Sequence, residues 1–292
     1  MTDWLTVEVG ERVVEAVATG ASDGIALVFH HGTPGAATEF AQLTDPALAC
    51  ALRTVYPSRA GYAGSTPRPG RTVADVVEDV VAVLDELGIE RFLTLGWSGG
   101  GPHALACAAL LPDRCLAAAT LAGVAPREAA GLDWSSGMAD ENVAEFGAAE
   151  TSEEALTAFL EGMAADLADV TGTALADALG GLVPAVDRTA LHGDLADAMA
   201  ESFRRAVSSG VAGWRDDDLA FVRPWGFDLA SIRVPVAVWQ GSGDRMVPFA
   251  HGQWLAAHVP GARARLEAGE GHLSLIPALA RILVDLRELA GV

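Results

Sequence analysis

The sequence contains no lysine: all 19 of its basic residues are arginine. Chemistry that needs a lysine amine is excluded, including Schiff bases, a Walker-type phosphate site and a Ser–Lys dyad. Cysteine is scarce. Cys50, Cys107 and Cys115 form no C-x-x-C pair, and none sits at a glycine-bounded turn. They read as reduced cysteines, two of them in apolar stretches. No apolar run reaches the ~18 residues a membrane-spanning helix needs. The opening MTDWLTVEVGERVVEAV carries charge early and shows no apolar block before a cleavage site, so no secretory leader is expected. A reducing, cytoplasmic setting is the expectation. Positive charge is also short. The formal net charge is -20, which repels phosphate backbones and anionic membrane surfaces. The expected partner is therefore a small-molecule substrate, with neither nucleic acid nor membrane; whether the chain forms a homo-oligomer stays open.

What is present is apolar. Hydrophobic residues make up 51% of the 292-residue chain and charged residues 20%, enough for a sizeable core within one α/β domain. The N-terminal part alternates strand-like and helix-like segments. WLTVEV (4–9) and RVVEAVA (12–18) predict a hairpin around Gly10-Glu11, and IALVFH (25–30) predicts a buried strand. FAQLTDPALACAL predicts a helix broken near Pro46, and RTVYP (53–57) a short strand. In TVADVVEDVVAVLDELG (72–88), Val73, Val76, Val77, Val80, Leu84 and Leu87 form one apolar stripe, with Thr72 placed to cap its start and Gly88 its end. RFLTLGW is strand, GPHALACAALL helix and CLAAATLAGV strand. From about residue 127 to 225 the strand signal fades into glycine-broken helices. VPVAVWQ (234–240), FAHGQWLAAHV, ARARLEA (262–268) and LIPALARILVDLRELA then restore the alternation. The expectation is a mostly parallel sheet with helices on both faces, built from residues 1–126 and 226–292, with 127–225 inserted as a helical cap.

Gly96-Trp97-Ser98-Gly99-Gly100 matches G-x-S-x-G and lies between a strand and a helix, the context that gives this pattern meaning. A nucleophile on so sharp a turn needs small neighbours, and the helix that starts there favours developing negative charge. A serine hydroxyl also needs a base. His272 lies in a loop just past the last predicted strand, at the sheet edge where open α/β sheets bind ligands. Among the other histidines, His103 sits inside the helix after Ser98, where packing explains it; His192 and His251 read as surface helix residues, and His258 as a helix end. The base needs an acid to orient it. Asp244 follows the strand 234–240 through a Gly-Ser-Gly turn, and Glu267 and Glu270 are the weaker candidates. The chain order Ser98, Asp244, His272 is that of one triad class. Backbone N–H groups of Thr33, in HHGTPG (30–35), and of Gly99 are the candidate oxyanion donors.

These motifs together resemble the α/β-hydrolase superfamily along nearly the whole chain. HGTPG resembles its oxyanion loop and SRAGYAGSTP its R-x-G-x-G-x-S loop. GWSGGG resembles the nucleophile elbow, GSGDRMVP the acid loop and GEGHLS the histidine loop. Within the superfamily the chain is similar to the group that holds proline-iminopeptidase-like and esterase members. The resemblance implies a cap that shapes an acyl or alcohol pocket, and no cofactor or metal. Epoxide hydrolases and haloalkane dehalogenases carry aspartate at the elbow, where this chain has Ser98. Epoxide hydrolases also use cap tyrosines, but Tyr56 and Tyr62 lie outside the cap. Hydroxynitrile lyases depend on a lysine. Proline iminopeptidases show HGGPG, a G-G-S-W-G elbow and cap glutamates for the substrate amine; here stand HGTPG and GWSGGG, with Glu150, Glu153 and Glu154 available.

The leading expectation is therefore a serine hydrolase cleaving a small carboxylic ester or lactone. The alternatives are a proline-iminopeptidase-like enzyme, a cofactor-free haloperoxidase and a non-catalytic binding protein. Trp97, Trp134, Met138, Phe146 and Trp214 are the candidate substrate contacts, with Phe159, Met163 and Phe221 further cap apolar residues.

Overall fold

A computed structural model describes residues 2–179 and 183–292. Its strands are β1 (Thr2–Val9), β2 (Arg12–Thr19), β3 (Ile25–His30), β4 (Leu52–Pro57), β5 (Phe92–Trp97), β6 (Cys115–Leu121), β7 (Val236–Gly241) and β8 (Arg263–Glu267). They form one sheet in the order β1-β2-β4-β3-β5-β6-β7-β8. β1 and β2 are a hairpin that joins β4 antiparallel; every other pairing is parallel. The helices are α1 (Ala41–Ala49), α2 (Val76–Glu86), α3 (Gly101–Leu110), α4 (Asp140–Thr151), α5 (Glu153–Leu167), α6 (Gly172–Leu179), α7 (Ala185–Ala190), α8 (Gly193–Val207), α9 (Ala212–Phe221), α10 (Phe249–His258) and α11 (Leu279–Ala290). None is long and apolar enough to cross a membrane.

The pleat decides the layers. In β3, Ala26 and Val28 point to one face, where they join Val80 of α2, Leu105 of α3 and Leu255 of α10. Leu27 and Phe29 point to the other, where they join Leu43 of α1 and Leu283 of α11. Strands buried on both faces read as continuous apolar runs, which is why 25–30 carries no alternation. In α11, Leu279, Ile282, Leu283 and Leu286 recur at helical spacing and are all buried. Burial of each such side chain contributes about 1.5–3 kcal/mol. Pro46 lies inside α1 without ending it. Proline removes one backbone bond, but Leu43 and Ala47 flank it on the buried face and hold the helix on the sheet. Helix 72–88 begins with one turn of 3-10 helix (Val73–Asp75) before α2, and Thr72 and Asp75 form a reciprocal capping box there.

Helices α4 to α9 all fall between β6 and β7. A buried carboxylate ties them to the sheet. Asp217 of α9 accepts from Arg59 Nη2 at 2.5 Å, Arg71 Nη2 at 2.6 Å, Tyr62 Oη at 2.9 Å and Thr33 Oγ1 at 2.8 Å. His103 Nε2 stands 3.4 Å away. Burial alone would push this carboxyl up, but Arg59 and Arg71 outweigh it and hold its pKa well below the usual range. Arg59 also donates to the carbonyls of His31 (2.6 Å) and Gly32 (3.0 Å), so one ion cluster fixes both α9 and the loop after β3. Removing one member strands buried charge. Asp217→Ala is expected to cost about 3–5 kcal/mol in urea unfolding; a loss below about 1 kcal/mol would show that the cluster does not hold the helices.

Candidate active site

Ser98 stands at the junction of β5 and α3 with φ of 54°, left-handed for a residue with a side chain. The turn is too tight for side chains at its flanks. A Cβ on Gly96 would come within 2.1 Å of the Gly100 carbonyl oxygen, and one on Gly100 within 2.1 Å of the His30 carbonyl oxygen. The sequence supplies glycine at both positions, so the elbow can close.

His272 follows β8 and Asp244 follows β7, so both leave the same edge of the sheet as Ser98. The His272 Nδ1 lies 2.8 Å from Asp244 Oδ2, and both groups are buried. Asp244 is held in turn: Oδ2 accepts from Gln240 Nε2 at 2.9 Å, and Oδ1 from the Met246 and Val247 amides at 2.9 Å each. Burial disfavours a charged His272 ring, but the Asp244 carboxylate outweighs it and raises the ring's pKa above its ordinary value. With Nδ1–H given to Asp244, Nε2 is the ring's free basic nitrogen. The ring packs on Trp97, the residue before Ser98, at 5.5 Å between centroids.

Thr33, Ser98 and Gly99 line one cavity of about 40 Å³ together with Val124, Met138, Asn142, Glu145, Phe146, Asp218, Phe221, Met246 and Val247. A Cβ on Gly99 would stand 2.3 Å from Thr33 Oγ1, so the two candidate donors are neighbours. The loop carrying Thr33 is locked. His31 donates through Nδ1 to the Gly32 carbonyl at 2.8 Å and accepts at Nε2 from the Arg59 amide at 3.2 Å, a neutral ring in one tautomer. Burial, with Arg59 beside it, lowers its pKa well below the ordinary value. Among the described residues no cluster of His, Cys, Asp or Glu suits a metal ion.

Comparison with known proteins settles the frame. Residues 25–279 match the alpha/beta hydrolase fold family. The chain belongs to the α/β-hydrolase family. It is 30% identical over 267 residues to a pimeloyl-[acyl-carrier protein] methyl ester esterase of Aromatoleum aromaticum, covering 89% of this chain and 96% of that one. Among solved structures it is similar to a bromoperoxidase from Bacillus anthracis (TM-score 0.72, 18% identity, 98% of this chain and 100% of that one). An enol-lactonase from Burkholderia xenovorans is also similar (TM-score 0.68, 22% identity, 97% and 100%).

Within this α/β hydrolase the expected substrate contacts divide. Met138 and Phe146 line the cavity, and so does Phe221. Trp134 and Trp214 are not among its lining residues. The Trp134 indole N–H donates to the Ala125 carbonyl at 2.7 Å, and that of Trp214 to Oε1 of the lining residue Glu145 at 2.5 Å. Trp134 also packs edge-on against Phe146 at 4.7 Å. Trp97 is not among the residues lining this cavity; its ring faces His272. His251 is a correction. It is buried, accepting at Nδ1 from the Ala125 amide (3.1 Å) and donating from Nε2 to the Trp134 carbonyl (2.7 Å). Burial lowers its pKa to about 4. Glu150, Glu153 and Glu154 are exposed, and Glu150 and Glu153 pair with Arg127 and Arg215.

Sequence reasoning missed the cavity's polar wall. Glu145 of α4 and Asp218 of α9 meet there as buried neighbouring carboxyls. Burial raises both, and the neighbouring Glu145 carboxyl adds to it, so the pKa of Asp218 stands well above its ordinary value. The run Asp216-Asp217-Asp218 was the available signal. Three consecutive acids on a helix flanked by Trp214 and Phe221 cannot all face water. An unfolded aspartate titrates near ~3.9, so above that pH the folded state holds the extra proton and its stability falls as pH rises through the folded pKa. Asp218→Asn keeps a donor for Glu145 without the titration. Thermal unfolding from about pH 4 to about pH 9 should show the melting temperature of D218N gaining on wild type as pH rises; parallel curves would contradict the raised Asp218 pKa.

Proposed function

We propose that this α/β hydrolase is a serine hydrolase that cleaves a small carboxylic ester or lactone through an acyl-enzyme. The observation that carries the reading is the buried His272–Asp244 pair at 2.8 Å, leaving the same sheet edge as a serine at φ of 54°. Ser98 Oγ attacks the carbonyl while His272 Nε2 takes its proton. Asp244 fixes the tautomer and stabilises the imidazolium. The Thr33 and Gly99 amides receive the oxyanion. The proton returns to the leaving alcohol, and water activated by His272 releases the acid. The helices between β6 and β7 serve as the cap over the acyl group.

The cavity narrows the substrate. It is small, nearly half polar, and carries two carboxyls with no arginine among its lining residues. Such a wall repels an anion. The acyl group is therefore short and bears no negative charge.

Ser98→Ala should lower kcat on p-nitrophenyl esters by about 10⁴-fold or more, by analogy with triad knockouts. Retention of a tenth of the turnover would remove Ser98 from the role. A pH profile of kcat/KM should fall on the acid side through a pKa above the ordinary ~6.5 of histidine, since only the neutral ring accepts the proton. Short neutral acyl esters should exceed a hemisuccinate ester of similar length by roughly tenfold, a difference of ~1.4 kcal/mol; equal or reversed preference would reject the acidic pocket as a selector.

A further inference from the structure

Asp187 lies on α7, 85 residues before His272 in the chain, and is fully buried. Its carboxylate takes three consecutive backbone amides of the histidine loop. His272 N–H donates to Oδ2 at 2.8 Å, and the Leu273 and Ser274 N–H groups donate to Oδ1 at 2.9 Å each. Successive amides that converge in this way form an anion-binding concavity, and here the anion is a side chain from the inserted helices. The approach is close: a Cβ on Gly271 would fall 2.3 Å from Asp187 Oδ1. Ser274 Oγ closes the loop by accepting from the Gly271 amide at 2.8 Å.

His272 is thus held at two ends. Asp244 fixes the ring at Nδ1, and Asp187 fixes the backbone from which the ring hangs. The two carboxylates come from different parts of the fold, one from the loop after β7 and one from the helical insertion. We propose that Asp187 is a positioning residue for the general base, so that His272 reaches its working position only with α7 docked. The proposal rests on the serine-hydrolase reading for its effect on turnover, but not for its effect on the ring.

The charged and titratable neighbours acting on the His272 ring are Asp244, the stronger, and Asp187; the other face meets the uncharged Trp97 ring. Both carboxylates favour the imidazolium. Removing the charge of Asp187 therefore lowers the ring's pKa, whereas a residue that only braces the fold would lower thermal stability and leave that titration in place.

The test compares wild type with D187N and D187A, and with T189A, an exposed substitution on the same helix. D187N retains an oxygen for two of the three amides and turns an amino group toward the third; D187A retains none. A base displaced by about 1 Å costs on the order of 10²-fold. Expected is kcat falling in the order wild type, D187N, D187A, toward a loss of about 10²-fold, with KM changed far less. The acid limb of kcat/KM and the NMR titration of the His272 ring should both move to lower pH in D187N, with T189A matching wild type. If D187A does not fold, D187N carries the test alone. Wild-type kcat together with an unmoved ring titration in folded D187N would overturn the proposal. An inactive wild type would instead defeat the serine-hydrolase reading, and the ring titration would still decide the role of Asp187.

Discussion

Ser98 is held in a left-handed conformation that costs a residue with a side chain about 1–3 kcal/mol. Nothing local relieves it. The strain persists because β5 is locked between β3 and β6, and because α3 begins immediately after the turn. The rest of the site follows from that constraint. The backbone must pass so close to the loop after β3 that Gly100 meets the His30 carbonyl, and this contact brings Thr33 beside Gly99. The parallel order of β5, β6, β7 and β8 then sends the loops bearing Asp244 and His272 to the same edge. A strained turn at one point of the sheet and a buried acid–imidazole pair at the same edge are two parts of one geometry.

The second organising force is buried charge. The helices between β6 and β7 reach the sheet's loops through two aspartates. Asp217 joins Arg59 and Arg71 and touches the hydroxyl of Thr33; Asp187 gathers the amides of the histidine loop. A buried carboxylate needs partners, and these partners come from the loop after β3, the segment after β4 and the histidine loop. The insertion is therefore part of the site's framework. Asp218 and Glu145 show the contrasting case. With no cation lining their cavity, burial raises both pKa values, that of Asp218 further through Glu145, and the pair faces the pocket as a polar, acid-sided wall.

Much of this was legible in the sequence where a residue's role is set by its neighbours in the chain. The apolar run 25–30, the hairpin at Gly10-Glu11 and the glycines around Ser98 all act within a few residues. Asp244 and His272 could be paired by chain order, because parallel strands deliver successive loops to one edge. The buried acids could not. Asp217 finds Arg59 158 residues away, and Asp187 finds His272 across 85. No periodicity encodes such distances. Aromatic residues misled for a related reason. Trp134 and Trp214 look like pocket walls by composition, but an indole N–H seeks an acceptor, and theirs are the Ala125 carbonyl and the carboxyl of Glu145, which lines the cavity in place of Trp214. His251 was misjudged likewise, since its two ring partners come from residues 125 and 134.

The central claim is that Ser98 is a nucleophile activated by His272. The most direct measurement is intact-mass analysis and peptide mapping after treatment with a fluorophosphonate. The account predicts one phosphonyl adduct per chain, on the peptide holding Ser98, and its loss in His272→Ala. A folded protein that takes no adduct, or takes it on another residue, would contradict it.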